Sequence, residues 1–176
     1  DYIQTYHIVH TSNNSYLDGE LRNIKETGVL LSYDFSTRWN EPDRLQRAAS
    51  LADIAFLSCS DLTDEEAKGV LRQATGLGLS LAVATRGSRG ALLYDGVAFL
   101  EQPSEYVEPV DTMGAGDGFA SALLVHLAAV WTDPEKGPEP EAIRQAAEAA
   151  AHFSAQVCLQ SGAFGHGRPI PEDYHM

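Results

Sequence analysis

The chain has 176 residues, of which 44% are hydrophobic and 21% charged, so its composition is that of a globular protein with an apolar core. This excludes a disordered, collagenous or coiled-coil protein, and we expect a single domain over residues 1–176. Acidic residues outnumber basic ones by 25 to 12, and a formal net charge of −13 makes nucleic acid a poor partner. No apolar run approaches the ~20 residues of a membrane helix and no leader pattern is present, so we expect a cytoplasmic protein without a membrane partner.

The first half of the chain alternates short apolar runs with helical stretches. Strands are predicted at 7–10, 29–33, 54–57 and 79–85, mostly apolar throughout, as in a sheet buried on both faces. Helices are predicted between them at 18–27 and 42–52. A third helix begins at Thr63, which forms a capping-box pattern with Glu66, and ends near residue 76 or 78. Strand–helix alternation of this kind predicts a parallel sheet covered by helices.

The pattern changes after residue 85. Apolar runs at 90–94 and 97–100 flank an Asp-Gly pair, which predicts an antiparallel hairpin with a tight turn. Two long helices are predicted at about 115–131 and 140–159. Both cysteines, Cys59 and Cys158, have apolar neighbours, so we expect buried, reduced thiols. The chain begins without a Met and within the alternation, which indicates a piece of a longer protein.

The strongest local signal is the run DTMGAGDG at residues 111–118, which leads directly into the first long helix. Its small residues at 114–116 let the backbone approach a ligand closely, and their N–H groups are unpaired donors at a helix N-terminus. With the helix dipole, these donors predict an anion hole for a phosphate. Asp117 lies in the first helical turn, where it could accept a proton from an alcohol that attacks phosphorus. The alternative is a tight turn followed by an ordinary first-turn acid.

Two further loops rich in small residues are candidate ligand-binding segments. The segment TRGSRG at 85–90 follows a buried strand, and ligands of open α/β sheets bind beyond the carboxyl ends of strands. A plain surface turn is the alternative for this segment. Residues 160–167, after the last helix, form the second glycine-rich loop. Neither GxxxxGK[ST] nor GxGxxG occurs, so a phosphate-handling protein with this sequence is neither a P-loop enzyme nor a plain dinucleotide fold.

The run at 111–117, continuing through 121–124, resembles the C-terminal signature of the ribokinase-like, PfkB-type carbohydrate kinases, and 85–90 resembles the nucleotide loop of that family. The stretches at 32–36 (with Trp39), 111–117 and 162–167 resemble members that act on fructoselysine. The resemblance implies an α/β fold, a three-layer sandwich with a mostly parallel central sheet. It covers the chain but only the C-terminal two-thirds of such a kinase, so the N-terminal part and the lid are expected to be missing.

The resemblance also implies an activity and the residues that perform it. The activity is transfer of the γ-phosphoryl group of ATP to a hydroxyl of a small sugar or sugar derivative, such as fructoselysine. Asp117 would be the catalytic base, and Asp111 would lie beside a monovalent cation such as K⁺. Mg²⁺ would travel with ATP, and the longer protein could pair as a homodimer. The anion hole would consist of the backbone of Gly114, Ala115 and Gly116. The nucleotide-binding residues would be Thr85, Gly87, Ser88, Gly90, Gly162 and Ala163.

The sequence leaves four questions open. Asp34 and Arg38 follow a buried strand and could face the substrate, with Arg38 pairing to a carboxylate; the alternative is a surface arginine beside a packed Trp39. Many relatives carry an N-x-x-E motif where this chain has residues 58–62, so Asp61 is the candidate substitute and no divalent-metal ligand is assigned. The acceptor could instead be a nucleoside or a vitamin alcohol. If the chain is complete, a non-catalytic nucleotide-binding module is the alternative.

Overall fold

A computed structural model describes residues 2–133 and 136–168, whose six strands form one sheet in chain order. Each of the first four strands is parallel to its neighbours among them, and the last two are added antiparallel as a hairpin. The mostly parallel sheet predicted from the alternation is therefore confirmed. The strands are β1 Ile8–Ser12, β2 Leu30–Asp34, β3 Ile54–Ser58, β4 Leu81–Thr85, β5 Ala91–Tyr94 and β6 Phe99–Gln102.

Five α-helices accompany the sheet, and short 3₁₀ turns occur at several connections, including Gly87–Arg89 and Ala163–Gly165. The two long C-terminal helices end within one residue of their predicted limits. No helix in the described ranges is both long and apolar enough to cross a membrane. The helices are α1 Leu21–Lys25, α2 Arg44–Ala49, α3 Asp64–Gly76, α4 Ala115–Val130 and α5 Pro140–Cys158.

The helices form one layer on each face of the sheet. Because β1 to β4 lie side by side in chain order, crossovers of a single hand place α1, α2 and α3 on the same face. There Leu21, Leu45 and Leu71 pack in one core with Tyr33 and Leu57. The second core, on the opposite face, joins α4 and α5 to the alternate strand residues, and it includes Ile54, Phe56, Val83, Phe119, Leu123 and Ile143. The predicted three-layer α/β sandwich is confirmed.

Local sequence signals explain some element boundaries and not others. Helix α3 begins with the predicted capping box, in which the Thr63 hydroxyl accepts from the Glu66 amide and the Glu66 carboxylate accepts from the Thr63 amide. The predicted start of α2 at Pro42 is wrong. The chain first passes through Asp43 in a left-handed conformation, with φ of +59°, so the helix begins only at Arg44.

The hairpin differs from the predicted tight turn. Its strands are joined by the four residues 95–98 rather than by an Asp-Gly pair alone. The Asp95 carboxylate accepts hydrogen bonds from the amides of Val97 at 2.8 Å and Ala98 at 2.7 Å, which replaces the strand pairing predicted for these residues. Gly96 has a φ of +89° in this loop.

Candidate functional site

The predicted anion hole lies at the start of α4. Gly114 is the N-cap residue, and its φ of +82° is a left-handed conformation that favours glycine. The Ala115 amide donates to the Thr112 carbonyl at 3.2 Å and the Gly118 amide to the Gly114 carbonyl at 2.8 Å. None of the hydrogen bonds among the described residues uses the amides of Gly114 and Gly116. Two of the three predicted donors are thus free to bind an anion, and the third already has an acceptor.

Helix α5 packs against the first turn of α4. The Ser154 hydroxyl donates to the Ala115 carbonyl at 2.9 Å, across the contact between the two helices. A Cβ atom added to Gly118 would lie 3.0 Å from Cγ2 of Val157, so α4 and α5 approach each other closely at this point. Gly118 therefore permits close packing of the two helices, and Asp117 lies on the exposed side of the first turn.

Asp111 joins the glycine run to the loop that follows α5. Its two carboxylate oxygens accept hydrogen bonds from the amides of Met113 and Gly162, each at 2.9 Å. These backbone hydrogen bonds hold the pKa of Asp111 below its usual value. A Cβ on Gly114 would lie 3.3 Å from the Phe164 ring and 3.4 Å from Ala163. The fold therefore brings the predicted anion hole together with two predicted nucleotide-binding residues, Gly162 and Ala163.

The other predicted nucleotide segment, residues 85–90, is a compact turn at the end of β4. The Arg86 amide donates to the Gly90 carbonyl at 2.8 Å, and the Gly90 amide donates to the Gly87 carbonyl at 3.0 Å. The Ser104 hydroxyl donates to the Ser88 carbonyl at 2.6 Å, which ties the segment to the chain beyond β6. Among the described residues, no hydrogen bond joins this segment to residues 111–118.

Asp34 and His10 lie on neighbouring strands, and each interacts electrostatically with the charge of Asp117. Asp34 ends β2, where its carboxylate accepts a 2.6 Å hydrogen bond from the Ser36 amide. His10, on the neighbouring strand, lies 3.0 Å through Nδ1 from the Ser32 hydroxyl, and its ring meets Phe56 edge-on. The structure thus places the predicted substrate residue Asp34 in the electrostatic environment of the predicted base.

His10 was not among the predicted site residues, although the sequence carries a signal for it. His10 and Ser12 on β1, like Ser32 and Asp34 on β2, are polar at alternate positions and pair in register across the two strands. Alternate residues of a strand share one face, so two neighbouring strands with this pattern indicate a polar patch on one side of the sheet. Partial desolvation lowers the pKa of His10, while the charges of Asp34 and Asp117 act in the opposite direction.

The protonation of Asp34 gives a stability prediction. Burial raises the pKa of Asp34, and the negative charge of Asp117 adds to this, while the Ser36 amide and His10 oppose it. An acid with a raised folded-state pKa favours folding when protonated and loses that contribution as the pH rises through the raised value. Asp34→Asn, which keeps an acceptor for the Ser36 amide, is therefore expected to raise Tm at pH 7.

The Asp34 prediction is tested by thermal melts across pH. The difference in Tm between Asp34→Asn and the unsubstituted protein should shrink as the pH falls towards the ordinary aspartate value of about 3.9. Asp43→Asn is the matched control, because Asp43 is exposed and asparagine tolerates its left-handed backbone. An Asp34→Asn protein that melts below the unsubstituted protein at pH 7 would contradict this account.

Among the described residues, no hydrogen bond joins the predicted residues Arg38 and Asp61 to Asp34, Asp111 or Asp117. The Arg38 guanidinium forms an ion pair with Glu41, and the neighbouring Trp39 packs against the core and donates through Nε1 to the Ser58 carbonyl at 2.9 Å. Asp61 is exposed. In the described ranges, no group of three or more His, Cys, Asp or Glu side chains could hold a metal ion.

The cysteines differ in environment. Both are free thiols. Cys59 is buried, and burial raises its pKa to about 11, so it stays protonated at neutral pH. Cys158 is only half-buried, so the expectation of two buried thiols is correct for Cys59 alone.

Comparison with known proteins gives a family match. Residues 18–167 match the model of the pfkB family of carbohydrate kinases. Fructosamine kinase FrlD of Bacillus subtilis is 36% identical over 168 residues, which cover 96% of this chain and 55% of that protein. Fructoselysine 6-kinase of Escherichia coli is 30% identical over 134 residues, covering 76% of this chain and 51% of its own length.

A solved structure agrees with these sequence matches. A double mutant of fructokinase from Vibrio cholerae, in a form with bound fructose, ADP and potassium ion, aligns with a TM-score of 0.71 and 25% identity. The alignment covers 90% of this chain and 56% of that one. The chain therefore spans about half the length of the relatives it matches.

Proposed function

The chain belongs to the pfkB family of carbohydrate kinases, and on that basis we propose that its full-length gene product is an ATP-dependent sugar kinase. The enzyme would transfer the γ-phosphoryl group of ATP to a hydroxyl of a small sugar derivative and release ADP. The observation that carries this proposal is the position of Asp117, in the first turn of α4 beside the unpaired amides of Gly114 and Gly116. A carboxylate next to an anion hole is the arrangement that this reaction needs.

The proposed roles follow from the chemistry of phosphoryl transfer. A bond forms between the acceptor oxygen and phosphorus, and the bond from phosphorus to the bridging oxygen of ADP breaks. Asp117 would accept the proton of the acceptor hydroxyl. The amides of Gly114, Ala115 and Gly116 would stabilise negative charge on the transferred group, with Ala115 contributing least because Thr112 already accepts its hydrogen bond.

Two loops are proposed to bind the nucleotide. The 85–90 segment would contribute Thr85, Gly87, Ser88 and Gly90, and the loop after α5 would contribute Gly162 and Ala163. Glycine at 114 fits a close-fitting cradle, because a Cβ there would press on Phe164. Binding by backbone amides is also compatible with a net charge of −13.

The cations are proposed on the same basis. Bound with ATP, Mg²⁺ supplies charge neutralisation on the phosphate oxygens. We place the site of a monovalent cation at Asp111; the potassium ion described for the Vibrio cholerae fructokinase supports the use of such a cation. The Asp111 carboxylate, already ionised and oriented by backbone amides, fits a cation of low charge.

A fructosamine, meaning a sugar joined through an amine to an amino acid such as lysine, is the proposed acceptor. The names of the Bacillus subtilis and Escherichia coli relatives support this class. Asp34 is the proposed acceptor contact, since it lies within electrostatic reach of Asp117. Arg38 pairs with Glu41 through Nε and one terminal nitrogen, so its other terminal nitrogen would be the donor to a substrate carboxylate.

Steady-state ADP release from MgATP with a panel of acceptors tests the proposal on the full-length gene product. Fructoselysine is expected to give a kcat/KM at least ~10-fold above those of free fructose and a nucleoside. A higher kcat/KM for fructose or a nucleoside would contradict the proposed acceptor class but would still support a kinase. Binding of MgATP with no ADP release for any acceptor would instead favour a non-catalytic nucleotide-binding module.

A further inference from the structure

Arg86, within the proposed nucleotide segment, is a buried cation held by two other elements of the fold. Only 1% of its side chain is exposed. One terminal nitrogen donates to the Asp64 carboxylate, in the first turn of α3, at 2.8 Å. The other donates to the Glu101 carboxylate on β6 at 3.0 Å. A single guanidinium therefore bridges α3 and β6 across the end of β4.

The Arg86 guanidinium also forms a hydrogen bond within the 85–90 segment. The second terminal nitrogen donates to the Arg89 carbonyl at 3.2 Å, at the far end of the 3₁₀ turn. The Arg89 guanidinium in turn donates to Asp64 at 2.9 Å and to the carbonyls of Ser60 at 3.0 Å and Leu62 at 2.7 Å. Both arginines of the segment are thus engaged with carboxylates and carbonyls of the fold. Their contacts fix the shape of the segment.

Besides its own turn hydrogen bonds and the Ser104–Ser88 contact, the segment depends on these arginine contacts for its shape, because two of its six residues are glycines. Gly87 and Gly90 have φ of +61° and +77°, and glycines lose more backbone freedom on ordering than any other residue. A loop that is already ordered binds its ligand more tightly, because the free energy of binding no longer includes the entropy lost on ordering the loop. A buried guanidinium that pairs with two carboxylates provides such prior ordering. Surface ion pairs are much weaker in this role.

We propose that Arg86 is a positioning residue, which holds residues 85–90 in the conformation that binds the nucleotide by anchoring them to Asp64 and Glu101. This inference rests on the proposed function, since it assigns an effect to ATP binding. It assigns Arg86 no contact with the nucleotide. Loss of Arg86 leaves Asp64 and Glu101 in contact with water, because their side chains are 54% and 63% exposed. The main consequence should therefore fall on the loop rather than on the fold.

Arg86→Met and Arg86→Lys test this inference in the full-length gene product. Arg86→Met is expected to raise the KM for ATP roughly tenfold, which corresponds to about 1.4 kcal/mol, with kcat and the acceptor KM within about twofold of the unsubstituted enzyme. Arg86→Lys should lie in between, because one ammonium keeps the charge but cannot bridge two carboxylates as a planar fork does. Arg144→Met is the matched control: Arg144 also pairs with two carboxylates, but on the exposed surface of α5.

The outcomes separate this inference from the proposed function. A fall in kcat or in Tm with an unchanged KM for ATP would show a merely structural role and overturn the inference alone. If the unsubstituted protein binds no MgATP, both proposals fail. Should Arg86→Met not fold, Glu101→Gln removes one partner at an exposed position and is expected to raise the KM for ATP by a smaller factor. An unchanged KM in that variant would also overturn the inference.

Discussion

Asp117→Asn is expected to lower the kcat of the full-length gene product by at least ~10²-fold, with a modest change in the KM for ATP. The substitution removes the proposed proton acceptor but keeps the size and polarity of the side chain. Asp117 lies on the exposed side of the first turn of α4, so asparagine should be accommodated without repacking. Steady-state kinetics with MgATP and a sugar acceptor, over a range of ATP concentrations, provide the measurement.

Asp43→Asn is the control for this experiment, because it makes the same chemical change at an exposed position before α2. It should leave kcat unchanged. Near-normal turnover of Asp117→Asn would remove Asp117 from the role of base. A rise in the KM for ATP with an unchanged kcat would instead assign the carboxylate to nucleotide binding.

Gly90→Ala is expected to cost at least about 3 kcal/mol of folding free energy. A Cβ at this position would lie 2.1 Å from the Gln102 carbonyl oxygen, 2.6 Å from the Ser104 nitrogen and 2.7 Å from the Pro103 carbonyl carbon. All three are backbone atoms, so no side-chain rotation relieves the clash. The φ of +77° adds strain for any residue with a Cβ. Chemical denaturation, followed by circular dichroism, measures the change.

Gly96→Ala separates strain from the clash. Gly96 has a similar φ of +89°, but nothing lies within 4 Å of its added Cβ. The folding free energy lost in Gly96→Ala should therefore come from backbone strain alone and amount to about 1–2 kcal/mol. Equal losses at the two positions would mean that the 85–90 segment moves away from residues 102–104 at little cost. That result would also weaken the view that this segment is held in a fixed shape.

The sequence predicted the elements whose signals are local. Thr63 and Glu66 define the start of α3 through their own hydrogen bonds, and the apolar strands could be assigned because both faces of the sheet are covered by helices. The position of Asp117 in the first turn of α4 could be predicted for the same reason, since the glycine run fixes where that helix begins. These features depend on a few consecutive residues.

The features that the sequence did not predict depend on residues far apart in the chain. Arg86 was part of a loop motif, and its pairing with Asp64 and Glu101 arises only when α3 follows β3 onto the sheet and the β5–β6 hairpin joins the edge of β4. The cluster of His10 with Asp34 depends in the same way on the register of β1 and β2. The left-handed conformation of Asp43, after which α2 begins, is a local feature, but the residue type at that position does not require it.

The fate of the γ-phosphoryl group of ATP shows whether this protein is a sugar kinase. The purified full-length gene product is incubated with Mg²⁺, fructoselysine and ATP labelled in the γ-phosphoryl group, and the labelled product is identified by mass spectrometry. We predict that the label appears on a hydroxyl of the sugar, in proportion to the ADP formed. Label that remains in ATP, or that is released only as inorganic phosphate whichever sugar is offered, would contradict the assignment as a sugar kinase.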